Sequence, residues 1–495
     1  MPATPAPRLR PPAGDTVAAE LARSALAPDG TGGGAQRFRS WFAERLQHVA
    51  HRTERIPLEA LAGWHTEPGT GNVVHDTGRF FSVEGLDVHV PGAPVERWSQ
   101  PILCQPEVGI LGILAKEFDG VLHFLMQAKF EPGNAGGLQL SPTVQATRSN
   151  YTRVHGGRSV RYVEYFRDTA GHQVIADVLQ SEQGAWFYRK RNRNMVVKVR
   201  GEVPLADDFH WLTLGQLHRL LEQENLVNMD ARTVLACLPF AAHGPHPLAR
   251  LGPAGPGDFP TAVVRSLSAA EGSAHSTTDL VGWITGLRAR TEVHTRRAPL
   301  DGLPHWHRRD GVVSHDSGRF FDVVGVDVTA GSREVAGWTQ PMIEPRGRGV
   351  AAFVVRRIDG VLHVLAHARV EPGYVDVVEL APTVQCTPQS LDALPPGARP
   401  RLLSAVLDAA PGQVRFAADL SEEGGRFLHA VNRYLVVETE DGEGGVTEGE
   451  HHRWMTLHQL DGLLRHSHYV NVQARTLVAC LHGLAVPAAL PAGGR

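Results

Sequence analysis

The residues of this chain that could carry chemistry occur in duplicate. Gln127, Lys129 and Glu131 alternate along one apolar-rich run, and 240 residues later the same places hold His367, Arg369 and Glu371. Each Glu is followed by Pro-Gly. Same-face neighbours on a strand sit roughly 6.5–7 Å apart, so an amide, an ammonium and a carboxylate would line one pocket floor. That is the equipment for moving a proton and holding an oxyanion. The competing reading is a solvated sheet face with a Lys–Glu pair. A second repeated element is His75-Asp76-Thr77-Gly78-Arg79-Phe80-Phe81, returning as His315-Asp316-Ser317-Gly318-Arg319-Phe320-Phe321. Arg79 and Arg319 offer planar forks suited to phosphate, while His75 and His315 read as turn histidines more readily than as acid–base groups. Arg232 and Arg475 fall in the first turn of helices starting at Asn228 and Asn471. A cation beside the positive helix end needs an anion nearby, either an internal carboxylate or a ligand phosphate.

After a shared Pro-Thr-Val-Gln, ending at Gln145 and Gln385, the copies part. The first continues through Arg148, Ser149, Asn150, Tyr151, Arg153 and His155, whereas the second reads Cys386-Thr387-Pro388-Gln389-Ser390-Leu391. A catalytic site needs several converging polar groups, and the first copy has kept more of them. No Gly-x-Gly-x-x-Gly, Walker A or His-Glu-x-x-His sequence occurs, so no dinucleotide, P-loop or zinc site is indicated, and no metal is expected.

The register that matches these motifs also aligns Trp98-Ser99-Gln100-Pro101 with Trp338-Thr339-Gln340-Pro341, and Asp119-Gly120 with Asp359-Gly360. It resumes at an offset of 243, with Trp211 against Trp454 and Asn228 against Asn471. The chain is therefore a tandem duplication of a whole domain. Pro/Gly composition places a disordered segment at 1–34, repeat 1 at 36–238, a linker at 239–276, repeat 2 at 277–481 and a tail at 482–495. Asp119-Gly120 predicts a hairpin, and helices are predicted after Thr213, after Asn228, over Trp41 to Val49 and over Leu280 to Leu287. Each copy reads as α+β, strands first and helices last. Cys237 and Cys480 share one apolar helix position and read as core.

With 49 Lys+Arg against 52 Asp+Glu the net charge is −3, which argues against a nucleic-acid surface. No apolar run approaches a membrane span, no secretory h-region opens the chain, and four cysteines without a Cys-x-x-Cys pair fit a reducing cytoplasm.

The run Gln127-Ala128-Lys129-Phe130-Glu131-Pro132-Gly133-Asn134, the run Gln139 to Thr147, Ser149-Asn150-Tyr151 and Val227 to Thr233 together resemble the NDP-hexose 2,3-dehydratases of deoxysugar biosynthesis. Glu379 to Cys386 resembles the family's second-repeat version, and the resemblance extends from about residue 37 to 481. Ser390-Leu391 departs from an expected Asn-Tyr, which weakens the second pocket. The resemblance implies two Nudix-like domains, a homodimer, and a dTDP-4-keto-6-deoxyglucose substrate that loses water across C2 and C3. It implies a labile 3,4-diketo product passed to a 3-ketoreductase, and no cofactor. Nudix hydrolysis is not implied, because the Arg-Glu-x-x-Glu-Glu run is missing. Carried onto this chain, the resemblance makes Glu131 or His155 the base or acid and Lys129 and Tyr151 donors. Arg79, Arg148, Arg153 and Arg232 become diphosphate candidates, with Gln127, Gln145 and Asn150 around the sugar or base. A second pocket would use Arg319, Arg369, Glu371, Gln385 and Arg475. The alternative is a nucleotide-sugar-binding scaffold without chemistry.

Overall fold

The computed structural model describes residues 14–28, 34–48, 51–151, 159–251, 257–331, 337–440 and 446–486. His155 and Arg153, and the side chain of Asn150, lie outside what it describes.

Asp119 and Gly120 adopt φ of 49° and 78°, the pair of positive angles that a two-residue hairpin needs. They join strands Gly109–Phe118 and Val121–Phe130 at the centre of a seven-stranded sheet. Strand Arg191–Lys198 runs parallel to Gly109–Phe118, so the sheet is mixed. Leu138–Ser141 and Val144–Ala146 pair along the hairpin's other edges. Repeat 2 builds the same sheet around Gly349–Ile358 and Val361–Arg369.

The sheet is covered on both faces, which corrects the solvated-face reading. Leu122, Phe124 and Met126 enter a large core shared by both copies, while Leu125 enters another with Tyr162, Val163 and Phe166. His123 on that second face is only 2% exposed. The helices Leu214–Leu221 and Met229–Ala236 are capped as their sequences require: Thr213 forms a capping box with Gln216, and Asn228 Oδ1 accepts the Ala231 N–H at 2.8 Å.

The expected disorder of 1–34 does not hold over Gly14–Ala25, which is a helix with Ala18, Leu21 and Ala22 fully buried. Ser24 fixes it by donating to the Leu122 carbonyl at 2.5 Å and accepting the Leu214 N–H at 2.8 Å. Within the expected linker, helix Phe259–Ser266 does the same for repeat 2, where Ser266 accepts the Leu457 N–H at 2.8 Å. Small alanine-rich faces lie flat on a sheet, and the Pro and Gly around them hid that signal. Among the described residues no helix is long and apolar enough to cross a membrane.

The two copies interpenetrate. Strand His51–Ile56 of repeat 1 pairs with Phe321–Ala330 of repeat 2, and His294–Ala298 of repeat 2 pairs with Ser82–His89 of repeat 1. The repeated Pro-Gly lies on the same seam. The Gly133 N–H donates to Gly424 O and the Gly373 N–H to Gly184 O, both at 2.7 Å. A Cβ at Gly133 would stand 1.7 Å from the Phe427 carbonyl oxygen, and one at Gly373 the same distance from that of Phe187. Backbone cannot give way as a side chain can, so Gly133→Ala is expected to cost about 3 kcal/mol. A thermal melt in which that variant matches wild type would contradict this seam.

Candidate active site

Lys129 is the penultimate residue of strand Val121–Phe130, Glu131 follows that strand, and both are buried, at 8% and 4% exposed. Gln145 links them: Lys129 Nζ donates to its carbonyl at 3.1 Å, and its side-chain amide donates to Glu131 Oε1 at 2.7 Å. The Gln145 amide oxygen accepts from Asn228 Nδ2 at 3.1 Å, so the residue that caps a helix also sets the orientation of Gln145. These groups line a cavity of about 320 Å³. Its walls come from both copies: Trp64, His75, Phe80, Lys190 and Asp230 from the first, and Trp338, Gln340, Glu423 and Arg426 from the second. Trp64 Nε1 donates to Thr339 O at 2.8 Å across the seam, and the Arg426 guanidinium lies 4.1 Å over the Phe81 ring.

Glu131, Asp230 and Glu423 bring carboxylate oxygens within 4.8 Å of one another. A cation can bridge such a spacing, whereas a proton relieves the same crowding by residing on one carboxyl group; Lys129, Lys190 and Arg426 already place positive charge in the same cavity. Burial, then repulsion from Glu182, Glu131 and Glu423, pushes Asp230 well above the usual carboxylate range, with Lys129 opposing. Burial and Glu131 push Glu423 up to about 8. Burial pulls Lys190 down to about 8, although Glu182 counteracts it. Asp230 Oδ1, Glu182 Oε2 and Glu423 Oε2 have no hydrogen-bond partner.

A second cavity, about 710 Å³, meets the first at Gly109 and is lined by Arg148, Tyr151, Arg167, Arg193 and Glu107. The Arg167 guanidinium sits 5.8 Å from the Tyr151 ring centre, and Arg193 pairs with Asp177. Of the residues singled out in the sequence, Lys129, Glu131 and Gln145 thus meet in one cavity, and Arg148 and Tyr151 meet next door.

Others go elsewhere. Arg79 is exposed beside the cavity, where its neighbour Phe80 lines the wall instead. Gln127 turns to Asp208, donating at 2.8 Å. His75 does line the cavity, with Nδ1 2.8 Å from Thr77 Oγ1, the turn hydrogen bond expected of it. Arg232 corrects a ligand reading. It is fully buried, and its nitrogens donate to Val227 O and to Ser421 O of repeat 2, both at 2.5 Å, and to Thr476 Oγ1 at 3.3 Å. Arg475 mirrors it against Val470 O, Ser181 O and Thr233 Oγ1. The hydrogen bonds of each guanidinium go to carbonyl and hydroxyl oxygens of the protein, and Glu182 and Glu379 lie within electrostatic reach of Arg475.

The corresponding place in repeat 2 is self-satisfied. Arg369 Nε donates to Glu371 Oε1 at 2.8 Å and Gln385 Nε2 to the same oxygen at 3.0 Å, while Glu371 Oε2 accepts the Ala185 N–H at 3.0 Å. Asn471 holds Gln385 as Asn228 holds Gln145. Tyr374, standing where repeat 1 has Asn134, is buried and packs on Gly184. Arg319 donates to Gln389 O and lies 3.7 Å from Asp392.

Asp230, Glu182, Lys190 and Glu423 escaped sequence reasoning, although a signal existed. Comparing the copies, Glu423 stands for Gln183 and Lys190 for Ala430 at the 240 offset, and Asp230 for Gln473 at 243. Charge replaces amide or methyl, and every replacement faces the same cavity.

Because Glu423 has a raised pKa in the folded protein, its contribution to stability is present at low pH. It is lost as pH rises from the unfolded value of 4.5 through about 8. Glu423→Gln is therefore expected to melt higher than wild type at about pH 8, the gap closing toward about pH 5. A gap independent of pH would contradict the burial of an ionisable group here.

The family model for NDP-hexose 2,3-dehydratase matches residues 35–238 and 277–481. The dTDP-4-dehydro-6-deoxy-alpha-D-glucopyranose 2,3-dehydratase of Saccharopolyspora spinosa is 52% identical over 449 residues, 90% of this chain and 91% of that protein. Proteins of the same name from Amycolatopsis orientalis and Streptomyces violaceoruber are 47% and 49% identical, covering 96% and 90% of this chain and 95% and 97% of their own lengths. The family model covers both repeats and these relatives match nine-tenths or more of the chain, so the chain belongs to the NDP-hexose 2,3-dehydratase family.

Proposed function

We propose that the protein removes water across C2 and C3 of dTDP-4-keto-6-deoxyglucose, giving a 3,4-diketo-2,6-dideoxy sugar nucleotide. The observation that carries this is near-full-length identity to relatives named for that reaction. A cavity lined by both an ammonium and a buried carboxylate supports it.

The C4 ketone acidifies the C3 hydrogen. Glu131, its Oε1 already accepting from Gln145, is the base that takes this proton. Lys129, fixed by the Gln145 carbonyl, stabilises the oxygen that becomes an enolate. The C2 hydroxyl then leaves, and the resulting enol at C3 becomes a ketone as C2 gains a proton. C3 is oxidised and C2 reduced within one sugar, so the reaction requires no external electron acceptor. Arg148, in the adjoining cavity, is assigned to the diphosphate in this reading, and Tyr151, which lines that cavity rather than the one with Lys129, is assigned to the nucleotide instead of the donor role expected of it.

The same reading makes each half Nudix-like, the chain a homodimer acting in the cytoplasm, and a 3-ketoreductase the consumer of its unstable product. Purified protein with dTDP-4-keto-6-deoxyglucose, a 3-ketoreductase and NADPH is expected to give a dTDP-sugar that has lost one water and gained two hydrogens by mass. Intact substrate that still binds would favour a scaffold instead. Lys129→Met is expected to lower kcat by about 10²–10³ with the fold kept; near-normal turnover would move the site to Arg369, Glu371 and Gln385.

A further inference from the structure

The cavity holds more buried carboxylate than one base requires. Asp230 and Glu182 are each 3% exposed, both line the cavity, and each presents an oxygen without a hydrogen-bond partner. A buried carboxylate oxygen facing a cavity must meet water or a ligand atom, or carry a proton. The charged groups around the cluster are Glu131, Glu182, Lys129, Lys190 and Arg426, with Arg475 acting on Glu182. Positive charge is thus already supplied on several sides. Like charges this close cannot all ionise.

Resting on the dehydratase reading above, we propose that Asp230 and Glu423 titrate as a pair that retains one proton and together act as the acid for the departing C2 hydroxyl, with Glu423 delivered into the first pocket by repeat 2. Glu131 is set apart from this pair by its hydrogen bond from Gln145. The raised pKa values of Asp230 and Glu423 agree with this division. The opposite half gives the control supplied by the molecule itself: Gln183 and Gln473 replace both members. There Glu422 is fully occupied by Asn432, Tyr434, Gln183 and Gln473, whereas its counterpart Glu182 keeps an open oxygen.

The step balances. The pair's proton joins the C2 oxygen, the C2–O bond breaks with its electrons leaving as water, and the enolate electrons form C2=C3 as the C4 ketone returns. In the tautomerisation that follows, Glu131 returns the C3 proton to C2, and the 3-hydroxyl proton replenishes the pair. Both groups end as they began, and no outside acid is consumed.

The test follows substrate and product by mass and NMR in D₂O with full-length protein. Glu423→Gln, folded by thermal melt, is expected to lose water about 10²–10³ times more slowly while still incorporating deuterium at C3 of recovered substrate, because the base is intact. In wild type kcat falls on the alkaline side. Asp230→Asn is expected to move that limb to lower pH, since removing one like charge eases ionisation of Glu423. Loss of C3 exchange together with dehydration in a folded Glu423→Gln overturns the acid assignment. So does activity abolished by a chelator and restored by a divalent cation. A wild-type protein that neither exchanges nor dehydrates overturns the dehydratase reading itself, and this proposal with it.

Discussion

Two buried guanidinium groups, Arg232 and Arg475, hold the halves of this molecule in one arrangement. Each reaches from the first turn of its own helix to a backbone carbonyl of the opposite copy, Ser421 and Ser181 respectively. A fully buried Arg is tolerated only when its donors are met, so neither half completes its core without the other. The carbonyls they clamp precede Glu422 and Glu182, the first residues of the loops that form the far wall of each pocket. Strand exchange at 51–56 and 294–298 and the Pro-Gly contacts reinforce the same seam. The cavity is composite because the clamp is reciprocal.

A symmetric scaffold then became chemically asymmetric through few substitutions. In one pocket Lys129, Lys190, Asp230 and Glu423 converge; in the other stand Arg369, Ala430, Gln473 and Gln183. Arg369 reaches the Glu371 carboxylate directly and Gln183 and Gln473 satisfy Glu422, so that half pairs these two carboxylates internally, while Glu379 Oε1 and the amide oxygens of Gln183 and Gln473 stay without a partner. In the first half unpaired carboxylate oxygens face the cavity. Keeping the second copy is physically sensible even if its own pocket does nothing, because it supplies Glu423, Arg426 and Trp338 to the first.

Much of this was legible in the residues. The duplication, the Asp119-Gly120 hairpin, the Asn228 cap and the side-by-side placement of Lys129 and Glu131 were readable from repeats and local patterns, whereas Gln145 entered through the family resemblance. What stayed hidden depends on crossing between copies. Arg232 reads as an anion seeker because helix electrostatics is local, while one of the two carbonyls that meet it lies 189 residues away in sequence at Ser421. Gln127 shares a strand face with Lys129, yet Asp208 draws it aside. The helix at 14–25 was obscured by the Pro- and Gly-rich sequence around it.

The account stands on one claim: the sugar is processed where the halves meet, between Lys129, Glu131 and Glu423. A crystal structure with unreactive dTDP-glucose tests it most directly. The account predicts the hexose in the 320 Å³ cavity, with C2 and C3 facing the carboxyl cluster and the diphosphate leading past Gly109 toward Arg148. Hexose bound instead beside Arg369 and Glu371, with the first cavity empty, would contradict it.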